Sequence, residues 1–281
     1  GKESGIENII LKEGPGRLVL KRSGWYVTDM GERLARAETW IYLAAGTAYM
    51  RITHSIVFTE NTNNVWIRDY GLDFRTPGAP SDVYFSVSKP DGQEMVKKTP
   101  AMGREMYILQ DSYPHFAERD YRAVIGASSG GRDVPVEDVG IAGDWAYGDY
   151  GDYGITLVMP WLAERFPKEL SFGPAGARAV MWSGRSGREL DFRAKTVARE
   201  YLQEWADVML KKPSDKDLEA VRSNAQGAAR THDIWFMPTT GGYSEKKVDK
   251  PAAAASRPPL AMAEPERMCA TEAMGYPMHH K

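Results

Sequence analysis

The stretch Arg230-Thr231-His232-Asp233 combines a permanent cation, a titratable base and an acid within four consecutive residues. Histidine changes its charge near neutral pH, so it can take up or release a proton during a reaction. The stretch is therefore a candidate acid–base site, placed where a predicted helix meets a predicted strand. An ordinary capping arrangement of Arg230 and His232 explains the same residues.

A second candidate site lies in the segment Val65–Phe74, whose sequence VWIRDYGLDF is typical of a β-strand. Side chains alternate between the two faces of a strand, so Trp66, Arg68 and Tyr70 are predicted to share one face. Two aromatic rings flanking an arginine could stack on a sugar ring and bind a carboxylate. Stacking of the arginine on surface aromatic rings is the alternative interpretation.

The other side chains that could bind a ligand or act in catalysis form weaker patterns. The glycine-rich segment GDWAYGDYGDYG holds three closely spaced aspartates, which could bind a structural calcium ion but lack the EF-hand pattern; a tight aromatic loop is the alternative. The segment SSGGR lacks the lysine and helix of a phosphate-binding loop. Cys269 has no convincing partner for nucleophilic catalysis. No metal or other cofactor is predicted. The residues concerned are Asp144, Asp149, Asp152, Ser128–Arg132 and Cys269.

Composition narrows the class of protein. The chain has 281 residues, 42% hydrophobic and 26% charged, with a net charge of -2. This near-neutral balance gives no indication of nucleic-acid binding. No run approaches the roughly 20 apolar residues that a membrane-spanning helix needs. The single cysteine excludes an internal disulfide, so the fold must depend on its hydrophobic core.

Short alternating segments predict the elements that position these residues. The segments Glu38–Ala45 and Tyr49–Thr59 flank Gly46-Thr47 and predict a β-hairpin. In the second arm His54 falls on the apolar face, which indicates a buried, hydrogen-bonded core histidine rather than a catalytic one. The segment Arg178–Arg193 is predicted to form another hairpin that ends the β-rich region.

Helical periodicity follows that region, from Ala194 to Leu210 and from Asp217 to Arg230, before a predicted return strand at His232–Met237. The predicted fold is mainly β: an antiparallel β-sandwich with two inserted or appended helices, at about 194–230, and a C-terminal extended tail. The sandwich is assigned to residues 1–248. Residues 249–281 are assigned to a Pro/Ala-rich linker and the truncated start of a further domain.

Five segments in order resemble the exo-rhamnogalacturonan lyase-like family of polysaccharide lyases: YMRITHSIVFTENTNNVWIRDYGLDF, WLAERFPKEL, VMWSGRSGRELDFR, GAARTHDIWF and PLAMAEPERMCATEAMGY. The resemblance covers about residues 15–281. It implies the central β-sandwich followed by the start of an (α/α) toroid, with the family's N-terminal domain and most of the toroid missing. It also implies a secreted or periplasmic bacterial protein, although the chain has no signal peptide.

The family's reaction is β-elimination at a uronic acid, which needs a base for the C5 proton and a group that holds the carboxylate. On this reading Arg230 would hold the carboxylate, His232 would act as the base, and Trp66, Arg68 and Tyr70 would contact sugar. The parent protein is expected to cleave rhamnose- and uronate-containing polysaccharides, and this chain alone is expected to be inactive. The alternative is a non-catalytic carbohydrate-binding or self-assembling β-sandwich, with no nucleic acid or membrane partner.

Overall fold

The fold is known from a computed structural model, which describes residues 2–90, 92–112, 122–193, 214 and 224–258. Two antiparallel β-sheets lie face to face, one of nine strands and one of six. In strand order, the first sheet is β1–β2–β3–β4–β15–β12–β11–β6–β7, comprising Lys2–Lys12, Arg17–Val27, Arg33–Ala44, Met50–Phe58, Ala229–Thr240, Tyr153–Val158, Ile141–Asp149, Asp82–Lys89 and Gly92–Lys98.

The six-stranded sheet has the order β10–β9–β8–β13–β14–β5. A single α-helix among the described residues, α1 (Asp249–Ser256), packs on the outer face of the nine-stranded sheet through Ala252 and Ala255, against Trp145, Val158 and Met237. In the same order the strands of the smaller sheet are Arg132–Asp138, Arg122–Ser129, Glu105–Ser112, Lys168–Gly173, Gly176–Trp182 and Tyr70–Phe74.

Alternating side chains from both sheets form one shared hydrophobic core. Ile56 and Leu157 come from the larger sheet, and Ile108, Ile125 and Leu170 come from the smaller one. Because each strand buries every second residue, two sheets with apolar inner faces are stable only when packed together. The predicted mainly β, antiparallel sandwich is confirmed.

The strand β4 also confirms the prediction for His54. This residue is buried, and its Nδ1 lies 2.8 Å from the hydroxyl of Thr39 while its Nε2 lies 3.2 Å from the hydroxyl of Tyr26. Burial lowers the pKa of His54 to about 4, so the imidazole is uncharged at neutral pH. His54 is a structural histidine within the core.

The prediction of a hairpin over Arg178–Arg193 is wrong. The strand β14 pairs with β13 on one side and with β5 on the other. The residues after it form one turn of 3-10 helix at Gly184–Ser186, and beyond this turn Leu190 makes an isolated bridge to Ile67. The true hairpin joins β13 to β14, because Lys168–Gly173 is a strand despite its charged start.

Other element boundaries also differ from the predictions. Residues 2–12 form an edge strand that was not predicted from the sequence, and residues 143–154 form most of the β11–β12 hairpin rather than a tight loop. The return strand is confirmed but begins at Ala229, inside the predicted second helix. Part of the predicted linker is the helix α1, because Asp249 and four alanines favour helix over an extended chain.

The two predicted helices lie mainly outside the described residues, as do Cys269 and most of the predicted C-terminal tail. Among the described residues no helix has the length and apolar character needed to cross a bilayer.

Candidate functional site

His232 lies inside the sandwich, with an exposed fraction of 2%. It projects from β15 towards the smaller sheet and meets two side chains from that sheet. Its Nε2 lies 3.1 Å from the hydroxyl of Tyr70, and its Nδ1 lies 2.9 Å from Nζ of Lys168. Both ring nitrogens therefore have hydrogen-bond partners. This triad is called the His232 cluster below.

The electrostatics of the cluster favour uncharged groups. Burial, helped by the positive charge of Lys168 and Arg230, lowers the pKa of His232 to about 2. Burial and the neighbouring guanidinium of Arg230 also hold the pKa of Lys168 well below its ordinary value. A neutral imidazole has one donor and one acceptor nitrogen, which suits one partner on each side. For His232 to take a proton from a substrate outside the sandwich, the cluster would have to open.

Arg230 occupies the same inner face of β15, two residues before His232. Its guanidinium carbon lies 5.4 Å from the ring centre of Trp182, a cation–π contact, and the side chain is half-buried. Among the described residues no carboxylate forms an ion pair with Arg230. A cation–π contact leaves the N–H groups of a guanidinium free to donate hydrogen bonds to a carboxylate ligand. The structure thus brings the two predicted catalytic residues side by side.

The predicted sugar platform is not formed, because the strand begins only at Tyr70. Trp66 and Arg68 precede β5 and are exposed, whereas Tyr70 is buried against His232. The Trp66 ring is covered by Arg193, whose guanidinium carbon lies 4.0 Å from the ring centre. The cavity beside Trp66 measures only about 50 Å³. The three residues therefore do not share one accessible face.

Two aspartates of the candidate calcium segment, Asp144 and Asp149, lie near opposite ends of β11, and Asp152 lies in the turn that follows. Asp144 accepts a hydrogen bond from the backbone N–H of Leu162 at 3.0 Å, whereas Asp149 accepts one from Gly151 at 2.9 Å. The five-residue step along a strand places them about 16 Å apart. Within the described residues no three metal-ligating side chains cluster.

A cleft of about 670 Å³ lies between α1 and the hairpin of β6 and β7, on the outer face of the nine-stranded sheet. Its size is within the range of sites that bind small ligands. Its lining combines one indole, one thioether and several polar and charged groups: Trp145, Met95, Ser88, Gln93, Lys89, Glu245, Asp249, Lys250 and Arg257. This surface is called the α1 cleft below.

Asp249 holds the wall of the α1 cleft in place. It accepts a hydrogen bond from Nε1 of Trp145 at 3.4 Å and another from the hydroxyl of Tyr243. Tyr243 in turn stacks on Tyr84 of β6, with ring centres 4.3 Å apart. Because these contacts join α1 to the sheet, the polar groups around the indole have a fixed arrangement before any ligand binds.

The charges around the α1 cleft favour an anion slightly. Three cations, Lys89, Lys250 and Arg257, face two carboxylates, Glu245 and Asp249. Lys250 approaches Glu245 to 3.8 Å, and Lys89 approaches Glu94 to 4.0 Å. Arg257 is exposed and has no ion-pair partner in the part of the chain that the structure describes. A ligand carboxylate could therefore bind there without breaking a strong internal pair.

Sequence reasoning missed the α1 cleft because its residues come from distant parts of the chain. The available signal was the alternation in DWAYGD, which places Trp145 and Tyr147 on the face of the strand opposite to Ala146 and Gly148.

Comparisons with known proteins give little beyond this description. No protein-family model matches the sequence, and no curated protein is significantly similar to it. Among solved structures, the chain is similar to a candidate aldose 1-epimerase of Escherichia coli K12, with 10% sequence identity and a TM-score of 0.31. The match covers 83% of this chain and 69% of the other. A likeness at this level carries no argument about fold or activity, so the architecture described above rests on its own strand pairing.

Proposed function

We propose that this chain is the β-sandwich part of a carbohydrate-active enzyme resembling polysaccharide lyases, and that its α1 cleft binds an acidic carbohydrate. The observation that carries the proposal is the polar and charged lining of the cleft, at whose base Trp145 is buried with 5% exposure and hydrogen-bonded to Asp249. Sugars present many hydroxyls, and the carboxylate, amide and ammonium groups of such a lining can bind them. The order of the five lyase-like segments supports the same class of ligand.

The geometry supports binding by the sandwich more directly than catalysis. His232 is enclosed and hydrogen-bonded on both sides, whereas Arg230 retains a guanidinium that could hold a uronate carboxylate. β-Elimination, if the parent enzyme catalyses it, needs a base that reaches the C5 proton. Arg230 remains the residue proposed to hold the carboxylate, and His232 remains the proposed base. His232 can act as the base only if the His232 cluster opens.

The binding proposal predicts an effect of the cleft cations. Combined Lys250→Ala and Arg257→Ala changes should weaken binding of an oligogalacturonate about tenfold, because each exposed charge contributes roughly 0.2–1 kcal/mol. Titration calorimetry on the full chain measures this change. Binding of a neutral oligosaccharide of equal length should be unchanged.

The matched control is Lys12→Ala, which removes an exposed lysine from β1, remote from the cleft. Equal oligogalacturonate affinities for the double variant and the wild type would contradict the proposal. Release of unsaturated product by the parent protein, followed by ultraviolet absorbance, tests the elimination reaction separately.

Self-association is a second candidate function, and the edge strand β1 favours it. β1 pairs only with β2, so its outer edge carries unpaired N–H and C=O groups in the described part of the fold. The exposed fractions of Ile6, Ile9, Ile10 and Leu11 are 46, 41, 58 and 51%. Long edge strands with exposed apolar side chains tend to pair with other strands.

This candidate predicts that Ile10→Lys shifts the wild-type protein from oligomers towards monomers. A lysine on an edge strand opposes pairing because its charge would be desolvated in the new sheet. Light scattering coupled to size-exclusion chromatography gives the mass. Met102→Lys, at a fully exposed turn residue, is the control and should leave the mass unchanged. A monomeric wild type would rule out self-association through β1.

A further inference from the structure

The turn between β12 and β13 carries the most exposed tryptophan of the described residues. Trp161 has an exposed fraction of 52%, and within the described part of the chain no cation or second ring stacks on its indole. Trp66, by comparison, is 37% exposed and its ring is covered by Arg193. The indole of Trp161 therefore offers an uncovered aromatic surface to a ligand.

The backbone of Trp161 is strained. Its φ is 62°, and no other non-glycine residue of the described ranges has a positive φ. This left-handed conformation brings the Cβ of an L-residue too close to the following carbonyl oxygen, and bulky residues adopt it rarely. Glycine adopts it freely. A glycine at this position would therefore favour the fold more than the tryptophan does.

Packing explains the shape of this turn but not the type of residue at its first bend. The residues that follow, Leu162 and Ala163, are buried, and Leu162 belongs to the core shared by the two sheets. The left-handed residue directs the chain inward at this point. The indole gains little from burial, since about half of it is exposed. Strained residues of this kind cluster at functional sites, where the side chain serves a ligand rather than stability.

Two hydrogen bonds connect the turn to the α1 cleft. The backbone N–H of Leu162 donates to Oδ1 of Asp144 at 3.0 Å, and the hydroxyl of Ser256 donates to Oδ2 of the same carboxylate. Ser256 ends α1, Arg257 follows it, and both line the α1 cleft. Trp161 therefore lies beside the end of the cleft that holds Arg257.

Trp161 supplies a group that the lining of the cleft lacks. The aromatic ring in that lining belongs to Trp145, which is buried and hydrogen-bonded to Asp249. The cleft thus offers charged and polar groups but no exposed aromatic face. An exposed indole can pack its flat face against the C–H groups of a sugar ring while the sugar hydroxyls remain in water. Arg257 and Trp161 together match a uronate carboxylate and the ring of an adjoining sugar.

We infer that Trp161 forms a second subsite, in which its indole stacks on the sugar residue next to the one bound in the α1 cleft. The inference rests on the function proposed for the cleft and makes it more specific. The ligand is an oligosaccharide that extends beyond the cleft past Arg257, and its contact with Trp161 does not depend on charge.

NMR titration of the full chain with galacturonate and with tetragalacturonate tests the inference. Trp161→Gly removes the indole and relieves the backbone strain, so the variant should fold with a melting temperature no lower than that of the wild type. It should bind tetragalacturonate about fivefold more weakly, the effect of one lost aromatic stack. Its affinity for galacturonate should change less than twofold, because the cleft alone binds the monomer. Trp161→Phe retains a ring and should bind tetragalacturonate within twofold of the wild type.

The matched control is Trp40→Ala, which removes a partly exposed tryptophan from β3. The strands β4 and β15 separate β3 from β12, on which α1 packs. This variant should bind both probes with the affinity of the wild type.

Equal tetragalacturonate affinities for Trp161→Gly and the wild type would overturn the inference. The function proposed for the cleft would still stand if the Lys250→Ala and Arg257→Ala double variant bound more weakly. An equal loss of affinity for galacturonate, or a change in the molecular mass of Trp161→Gly in light scattering, would also overturn the inference. The first result would place the indole in the cleft itself, and the second would assign it to a contact between chains. A wild type that binds neither probe would overturn both proposals.

Discussion

Replacement of His232 by alanine is expected to lower the free energy of unfolding by about 4 kcal/mol. The change removes a ring from a site with 2% exposure and leaves both Tyr70 and Lys168 without their partner. Deletion of a buried side chain costs about 2–5 kcal/mol through lost packing, and each buried polar group left unpaired adds about 1–3 kcal/mol. Relaxation around the cavity offsets part of this sum. Urea unfolding followed by tryptophan fluorescence measures the loss.

The neighbouring residue provides the control. Asp233 lies on the opposite face of β15, partly exposed, where it accepts hydrogen bonds from Arg51 and Thr53 at 2.9 and 2.5 Å. Asp233→Ala should therefore cost only about 1 kcal/mol. A loss below 1 kcal/mol for His232→Ala would show that the His232 cluster does not stabilise the fold. A stable His232→Ala variant of an active parent protein that has lost lyase activity would instead favour the catalytic role of this residue.

Stability is expected to fall steeply in mild acid. Burial holds the pKa of His54 at about 4 and that of His232 at about 2. Both values lie below the unfolded pKa of about 6.5, so the two histidines bind protons in the unfolded chain before they do in the folded one. Their contribution to stability is complete above pH 6.5. As the pH falls, the contribution of His54 is lost down to about pH 4, and the contribution of His232 continues to be lost down to about pH 2.

Glu169 opposes part of this loss. Burial raises the pKa of Glu169 to about 7, although the positive charge of Arg185 acts in the opposite direction. The contribution of Glu169 to folding stability is therefore complete at a pH below the pKa of an unfolded glutamate, and it is lost as the pH rises through 7. Between about pH 6.5 and 4.5 the two histidines and Glu169 leave a net uptake of about one proton on unfolding, and Lys168, whose folded pKa is lowered by burial, adds uptake in the same direction. Stability should thus fall by at least about 1.4 kcal/mol per pH unit in this range.

Urea unfolding at several pH values between 7 and 4.5 measures that slope, and His54→Gln isolates one of its sources. Glutamine retains an amide that can bond to Thr39 but cannot be protonated, so the slope between pH 6.5 and 4.5 should decrease by about 1.4 kcal/mol per pH unit in this variant. An unchanged slope in a folded His54→Gln protein would show that His54 does not titrate as its burial requires.

Local sequence patterns were sufficient for the elements whose signals are contained within a few residues. Strict alternation in β4, from Met50 to Phe58, predicted both the strand and the burial of His54, because the period of two decides which side chains face the core. The turn at Gly46-Thr47 and the return strand containing His232 were predictable for the same reason. The predominance of such segments also indicated a β-sandwich.

Local patterns were insufficient where strand boundaries depend on distant partners. Trp66, Arg68 and Tyr70 alternate as a strand should, but pairing with β14 begins only at Tyr70, so the three side chains do not share a face. Lys168 and Glu169 start β13 although both side chains are ionisable, because one meets His232 inside the sandwich and the other meets Arg185 outside it.

The sequence by itself determined the class of fold, the core-facing position of His54 and the closeness of Arg230 to His232. Tertiary structure decided that His232 is enclosed by Tyr70 and Lys168, that Arg185 joins Glu105, Asp133 and Glu169, and that α1 forms a cleft with the β6–β7 hairpin. The physical reason is that alternation depends on nearest neighbours along the chain. Each of these sites instead depends on the pairing of strands that lie far apart in sequence. That pairing is decided by all the contacts within and between the two sheets, and not by any one segment.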